Sequence, residues 1–81
     1  MVQDVAYDDI KIGDSVNFTK TITQADVTLY AGISGDFNPV HMDKTYAETT
    51  RFKKPVVHGM LTAGLISAAV GTGLPGIGTI A

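Results

Sequence analysis

The sequence contains no cysteine, and this absence excludes two classes of small protein. Without thiols the chain forms no disulfide framework and no thiolate-bound zinc site. Basic residues are also few, because six Lys and Arg stand against eight Asp and Glu, for a formal net charge of −2. Proteins that bind nucleic acid neutralise phosphates with clustered Lys and Arg, so we expect no nucleic-acid partner.

A long apolar run and an export signal are missing as well. The longest apolar run, Gly59 to Val70, is much shorter than the roughly 20 residues that a membrane-spanning helix needs. It predicts a buried helix instead. The first residues, MVQDVAYDDIKIGD, are acidic, whereas a secretory signal starts with basic residues and continues with apolar ones. We therefore expect a cytoplasmic protein with no membrane partner.

The first part of the chain predicts a strand followed by a helix. A turn is expected at Ile10 to Gly13, and the alternation of apolar and polar residues from Val16 to Ile22 predicts a strand. Thr23 and Asp26 form a capping-box pattern, which predicts a helix from there to about Gly32. The expected buried face of this helix comprises Val27, Tyr30 and Ala31.

The second part predicts a short helix, an extended segment and a buried helix. Asp43 can cap a helix through Thr45 to Ala47 that ends near Arg51, and Pro55 favours extended backbone over Lys53 to Val57. A buried helix is expected from His58 to Val70, ended by the breakers of GTGLPG.

Gly78 to Ala81 is typical of the start of another strand. One strand, a helix and the start of a second strand cannot close a sheet, which usually needs three or more strands. We therefore expect residues 1–81 to be a single domain that is incomplete at its C-terminus.

The stretch SGDFNPVH places Asp36 and His41 close together, and we expect this segment not to be a regular helix. Gly, Asp, Asn and Pro are also ordinary turn residues, and His41, between Val40 and Met42, also fits a buried core position. The functional interpretation is a general acid/base pair that holds one water, with a stiff loop around Asn38 and a buried Asp36.

The stretch VHGM at the entry to the apolar run offers a second candidate site. The N-terminus of a helix presents unpaired N–H groups, and Gly59 has no side chain to block approach, so its N–H suits a developing oxyanion. The alternative is that Gly59 only permits close packing.

Two other patterns have weaker support. GTGLPG matches G-x-G-x-x-G but follows a helix and contains Pro75, so it does not predict dinucleotide binding. A metal site of His41, Asp43 and His58 matches no known ligand spacing, and we predict no metal.

Two motifs, YAGISGDFNPVHMDKTYA and KPVVHGM, resemble the MaoC-like, R-specific enoyl-CoA hydratase family. The first matches the family pattern through Tyr30, Ser34, Gly35, Asp36, Asn38, Pro39, Val40, His41 and Ala47. The resemblance implies an α+β hot-dog fold, in which an antiparallel sheet wraps a central helix, and a homodimer. Here the chain stops soon after that helix.

The resemblance also implies a function and a set of site residues. It points to a hydro-lyase that converts trans-2-enoyl-CoA to (R)-3-hydroxyacyl-CoA, with no cofactor beyond CoA as the carrier of the substrate. Asp36 and His41 would be catalytic, the Gly59 N–H would bind the thioester oxygen, and Asn38 and Ser67 would support them, Ser67 by orienting Asp36.

Alternative functions and partners remain open. The chain could instead be a non-catalytic acyl-thioester binding or dimerisation module, or a thioesterase. An acyl carrier protein could replace CoA as the carrier. The cluster of Arg51, Lys53 and Lys54 suits either carrier, or is simply a solvated loop.

Overall fold

The computed structural model describes residues 2–79. Within them the secondary structure consists of a 3-10 turn at Tyr7–Asp9 and the helices α1 (Gln24–Ser34), α2 (Pro39–Met42), α3 (Lys44–Glu48) and α4 (Gly59–Thr72). The chain divides into two compact units, residues 21–62 and residues 1–20 with 63–81. No helix in the described part of the chain is long and apolar enough to cross a membrane.

The capping box predicted for α1 is confirmed. Thr23 Oγ1 accepts the N–H of Asp26 at 3.2 Å, and Asp26 Oδ2 accepts the N–H of Thr23 at 2.9 Å. The helix ends at Ser34, later than expected, because Gly35 adopts the left-handed conformation (φ 80°) and donates its N–H to Ala31 O at 2.8 Å. Gly32 continues the helix.

The buried positions of residues 21–62 come from α1, α3 and the segment before α4. Val27 and Ala31 of α1 are buried, as the helical spacing predicted, whereas Tyr30 is only half-buried. They are joined by Ala47 of α3 and by His58. Asp43 caps α3 as expected, because its Oδ1 accepts the N–H of Tyr46 at 3.2 Å, but the helix ends at Glu48, before Arg51.

Two predictions about SGDFNPVH and the following segment need correction. The stretch is not free of helix, because α2 starts at Pro39, where a proline is well suited to the first helical position. The segment from Lys53 to Val57 is not extended throughout, because Lys53 has φ 65°.

The predicted strand from Val16 to Ile22 does not form. A strand is stabilised by pairing with neighbours, and no residue among those described forms a ladder with this segment. Gly78 and Thr79 are not in a strand either, and Ile80 and Ala81 lie outside the described residues. The described residues thus contribute the helical part of the predicted α+β fold and none of its sheet.

Helix α4 is exposed to a degree that its apolar composition did not predict. It begins at Gly59 and extends to Thr72, two residues beyond the expected end. None of its described residues is fully buried, and Ile66 is 67% exposed. An all-apolar helix is buried only when other elements pack around it, and the described residues do not supply them.

Backbone hydrogen bonds of Gln3 join the N-terminal segment to the end of α4 and to the residues that follow it. Gln3 donates its N–H to Thr72 O at 2.7 Å and accepts the N–H of Ile77 at 2.8 Å. Between these bonds lies Gly76, with φ 103°, where a Cβ atom would overlap the Gln3 carbonyl oxygen. This approach of two backbones requires glycine.

Candidate active site

The loop between α1 and α2 is held by three hydrogen bonds from backbone to side chain. Ser34 Oγ accepts the N–H of Asp36 at 3.1 Å, Asp36 Oδ1 accepts the N–H of Asn38 at 3.2 Å, and Asn38 Oδ1 accepts the N–H of Val40 at 3.0 Å. Each bond spans two residues, the geometry that Ser, Asp and Asn adopt in turns. The carboxylate of Asp36 is thereby oriented through Oδ1. Its Oδ2 has no hydrogen-bond partner within residues 2–79.

His41 is the third residue of α2 and is half-buried. Its Nδ1 lies 2.7 Å from Val56 O. Because a carbonyl oxygen only accepts, Nδ1 carries the proton, and the neutral ring keeps its lone pair on Nε2. Val56 also donates its N–H to Val40 O at 3.1 Å. The segment before α4 therefore fixes both the backbone of α2 and the tautomer of His41.

His58 is the most buried polar side chain of residues 21–62, at 2% exposure. Its Nε2 lies 2.9 Å from Asp36 O and donates to it. The ring stacks on His41, with centroids 3.8 Å apart and planes at 26°, and meets Tyr30 at 4.9 Å in a tilted arrangement. Its Nδ1 is buried and has no hydrogen-bond partner in the described part of the chain.

The structure brings Asp36, His41 and His58 together. A carboxylate oxygen of Asp36 and one ring nitrogen of each histidine all lie within 4.8 Å of one another. One water that makes two hydrogen bonds of usual length spans about 4.5 Å between its partners. A single water can therefore bridge Asp36 and His41. Asp36 is exposed, however, and not buried as expected, because none of the described elements packs over its loop.

Gly59, the first residue of α4, directly follows His58. No hydrogen bond within residues 2–79 uses its N–H, and the space around a Cβ placed there is empty to 4 Å. The N–H is thus available to a ligand oxygen. Ser67 is exposed on α4 in the other unit, and its contact with Asp36 stays a prediction.

Comparison with known proteins identifies the family. The model of the MaoC like domain matches residues 9–79. This chain belongs to the MaoC-like dehydratase family. The resemblance inferred from the two motifs is thereby confirmed.

Two relatives are about twice as long as this MaoC-like chain. The (R)-specific enoyl-CoA hydratase of Rhodospirillum rubrum is 53% identical over 74 residues, which are 91% of this chain and 51% of that protein. The (R)-specific enoyl-CoA hydratase of Aeromonas caviae is 44% identical over 71 residues, 88% of this chain and 53% of that one.

Solved structures give the same result. The unliganded R-hydratase PhaJ1 of Pseudomonas aeruginosa matches with a TM-score of 0.84 and 48% identity over 93% of this chain and 48% of its own. The chain thus spans about half the length of these relatives and shares the hot-dog fold family with them.

A metal fits this MaoC-like site poorly. Asp43, one of the three ligands considered from sequence, instead caps α3, and Asp36 takes its place beside the two histidines. Lone pairs of imidazole lie in the ring plane, so two stacked rings with planes at 26° direct them within planes that lie one above the other. Such lone pairs are poorly placed to meet at one ion about 2.1 Å from each nitrogen. The geometry favours a hydrogen-bonded acid/base pair.

The role of His58 in the site was not predicted from sequence. The sequence suggested it only as a metal ligand and as the residue before Gly59. The available signal was weak, because a histidine is intermediate in its tendency to be buried and only its place at the entry to an apolar helix favoured burial. Its partners could not be named, because Asp36 lies 22 residues away in the chain.

Proposed function

We propose that this MaoC-like domain adds water reversibly to trans-2-enoyl-CoA to give the (R)-3-hydroxyacyl thioester, as a hydro-lyase. The observation that carries the proposal is the placement of the Asp36 carboxylate and a His41 ring nitrogen within 4.8 Å, close enough to share one water. Support comes from the relatives named as (R)-specific enoyl-CoA hydratases.

The reaction needs a base for water, a donor for the thioester oxygen and a proton for C2. Asp36 Oδ2 accepts a proton from the bridging water as the water oxygen bonds to C3. Electrons of the C2–C3 double bond move towards the thioester oxygen, where the Gly59 N–H stabilises the negative charge. Asp36 or His41 then returns a proton to C2. No electrons are exchanged with a redox partner in these steps.

Two residues support this pair. Asn38 Oδ1 accepts the Val40 N–H and so fixes the start of α2, the helix that carries His41. Ser67 is proposed to orient the Asp36 carboxylate by a hydrogen bond.

The substrate carrier and the assembly are part of the same proposal. Arg51, Lys53 and Lys54 are exposed, and the guanidinium of Arg51 lies over the Phe52 ring at 4.9 Å. Exposed cations suit the phosphates of CoA or the acidic surface of an acyl carrier protein. We also expect a homodimer, which sedimentation velocity would detect.

The second candidate function is a non-catalytic acyl-thioester binding or dimerisation module. One observation favours it, because Asp36, the proposed base, is exposed to solvent and not enclosed in a dry site. A chain of that kind would bind acyl-CoA without consuming it.

The deciding experiment follows the enoyl absorbance of crotonyl-CoA with the unmodified chain and with Asp36→Asn. The Asn oxygen can still accept the Asn38 N–H, so we expect the loop to keep its shape. Loss of the base should slow hydration by about 10²-fold or more. Equal rates in the two proteins would contradict the proposal, and release of free CoA would indicate a thioesterase. Binding without hydration would support the module.

A further inference from the structure

We propose that His58 is a positioning residue, which holds the Asp36 peptide, the His41 ring and the Gly59 N–H in one fixed arrangement. For its catalytic consequence this inference rests on the proposed function. Its structural part stands on contacts within residues 21–62. No reacting atom is assigned to His58.

Burial alone does not explain a histidine at this position. Its side chain is 2% exposed, yet only one ring nitrogen has a partner, since Nδ1 is buried without a hydrogen bond to any described residue. An unpaired buried nitrogen is unfavourable for folding, and an apolar side chain of similar size would avoid that cost. A function for Nε2 would explain why a histidine occupies this position, and Nε2 does donate a hydrogen bond to Asp36 O at 2.9 Å.

This hydrogen bond acts on the proposed base. Asp36 belongs to an exposed loop whose other bonds are all local, each spanning two to four residues. The bond from His58 Nε2 reaches the loop from a residue 22 positions away and is made to Asp36 itself. It therefore anchors the backbone of Asp36, which carries the carboxylate, to the start of α4.

The stacked ring acts on the second member of the pair. The His41 ring can turn about its hydrogen bond to Val56 O, and the His58 face, 3.8 Å from it, restricts that rotation. Stacking thus fixes the direction in which His41 Nε2 presents its lone pair. When His41 takes up a proton, a neutral aromatic face also attracts the resulting cation.

His58 also fixes the proposed oxyanion donor, the Gly59 N–H. The Gly59 N–H belongs to the peptide bond that joins His58 to Gly59. The His58 carbonyl accepts the N–H groups of Leu61 at 3.1 Å and Thr62 at 3.2 Å. With its side chain bonded to Asp36 and its carbonyl bonded within α4, His58 sets the direction of the Gly59 N–H.

Two variants separate the two side-chain contacts. His58→Phe keeps an aromatic ring to stack on His41 and loses the donor to Asp36 O. His58→Gln keeps an N–H donor and loses the aromatic face. Each is compared with the unmodified chain by NMR at mildly alkaline pH, where imidazole is neutral. The measured quantities are the His41 ring nitrogen shifts, which report its tautomer, the His41 ring proton shifts and the Asp36 amide shift.

We expect a different signature from each variant. In His58→Gln, His41 should lose the ring-current shift while the bond to Val56 O keeps its Nδ1–H tautomer, with the Asp36 amide little changed. In His58→Phe, the Asp36 amide should move while His41 keeps the Nδ1–H tautomer. Folding is checked by the amide shifts of α1. Variants that keep α1 folded and leave the His41 ring and the Asp36 amide unchanged would overturn the inference, and so would identical changes in both.

Steady-state kinetics provide a second test if the unmodified chain hydrates crotonyl-CoA. Misplaced catalytic groups lower kcat by up to about 10²-fold, so both variants should lose kcat with little change in KM. A change confined to KM would contradict the inference. An inactive unmodified chain refutes the proposed function for this chain and leaves the NMR signatures to decide on His58.

Discussion

Replacement of Asn38 by Ala removes the side-chain oxygen that accepts the Val40 N–H at 3.0 Å. This bond caps α2, which has only four residues and carries His41. So short a helix has little internal bonding of its own, since its last bond runs from the Asp43 N–H to Pro39 O. We therefore expect the cap to decide how often α2 opens.

The magnitude follows from the usual value of such a cap. Loss of an Asn cap costs about 1 kcal/mol, which raises the equilibrium constant for opening of α2 about fivefold. Amide hydrogen exchange measures this directly. The Val40 amide loses its partner in any case, whereas the Asp43 amide exchanges faster only when α2 itself opens. Exchange at Asp43 should therefore rise about fivefold in Asn38→Ala.

Two controls make the result specific. Asn38→Asp keeps a side-chain oxygen at the cap and places negative charge at the N-terminus of a helix, so exchange at Asp43 should stay the same or slow. The Gly73 amide, bonded to Ala69 O at the end of α4, should not change in either variant. Unchanged exchange at Asp43 in Asn38→Ala would refute the reasoning that this cap holds His41 in place.

Two further predictions concern glycines. Gly59→Pro should leave the helicity of α4 intact, because proline suits the first helical position, and should slow hydration by about 10²-fold or more by deleting the proposed oxyanion donor. Gly59→Ala, which keeps the N–H and whose Cβ meets open space, should retain most activity, and equal rates in the two variants would exclude this N–H from the reaction. Gly76→Ala should lower the free energy of unfolding by about 2 kcal/mol or more, from strain at positive φ and a lost bond to Gln3. Urea unfolding measures this, with Gly78→Ala as the control, because its Cβ would make only an ordinary contact at 3.5 Å to Asp4; equal midpoints would contradict the prediction.

The parts of the fold that were predictable from sequence depend on residues close together in the chain. The capping box at Thr23 and the Asp43 cap of α3 each join residues three positions apart, so the pattern itself contains both partners. The strand at Val16 to Ile22 and the burial of α4 were wrong for the opposite reason. Alternation and apolar composition show which surfaces favour burial, but burial and pairing require a partner that a local pattern does not contain.

The candidate site shows the same limit. Sequence reasoning treated SGDFNPVH as either a turn or an acid/base site. In the structure the bonds that make the turn also aim the Asp36 carboxylate, since its Oδ1 accepts the Asn38 N–H and leaves Oδ2 unpaired among the described residues. These bonds span two residues and were foreseeable. What local spacing could not give is the tautomer of His41, set by Val56 15 residues away, and the stack with His58. The acid/base residues can thus be named from a short motif, but their geometry depends on the segment before α4, so substitution of His58 should affect the site as strongly as substitutions within the motif.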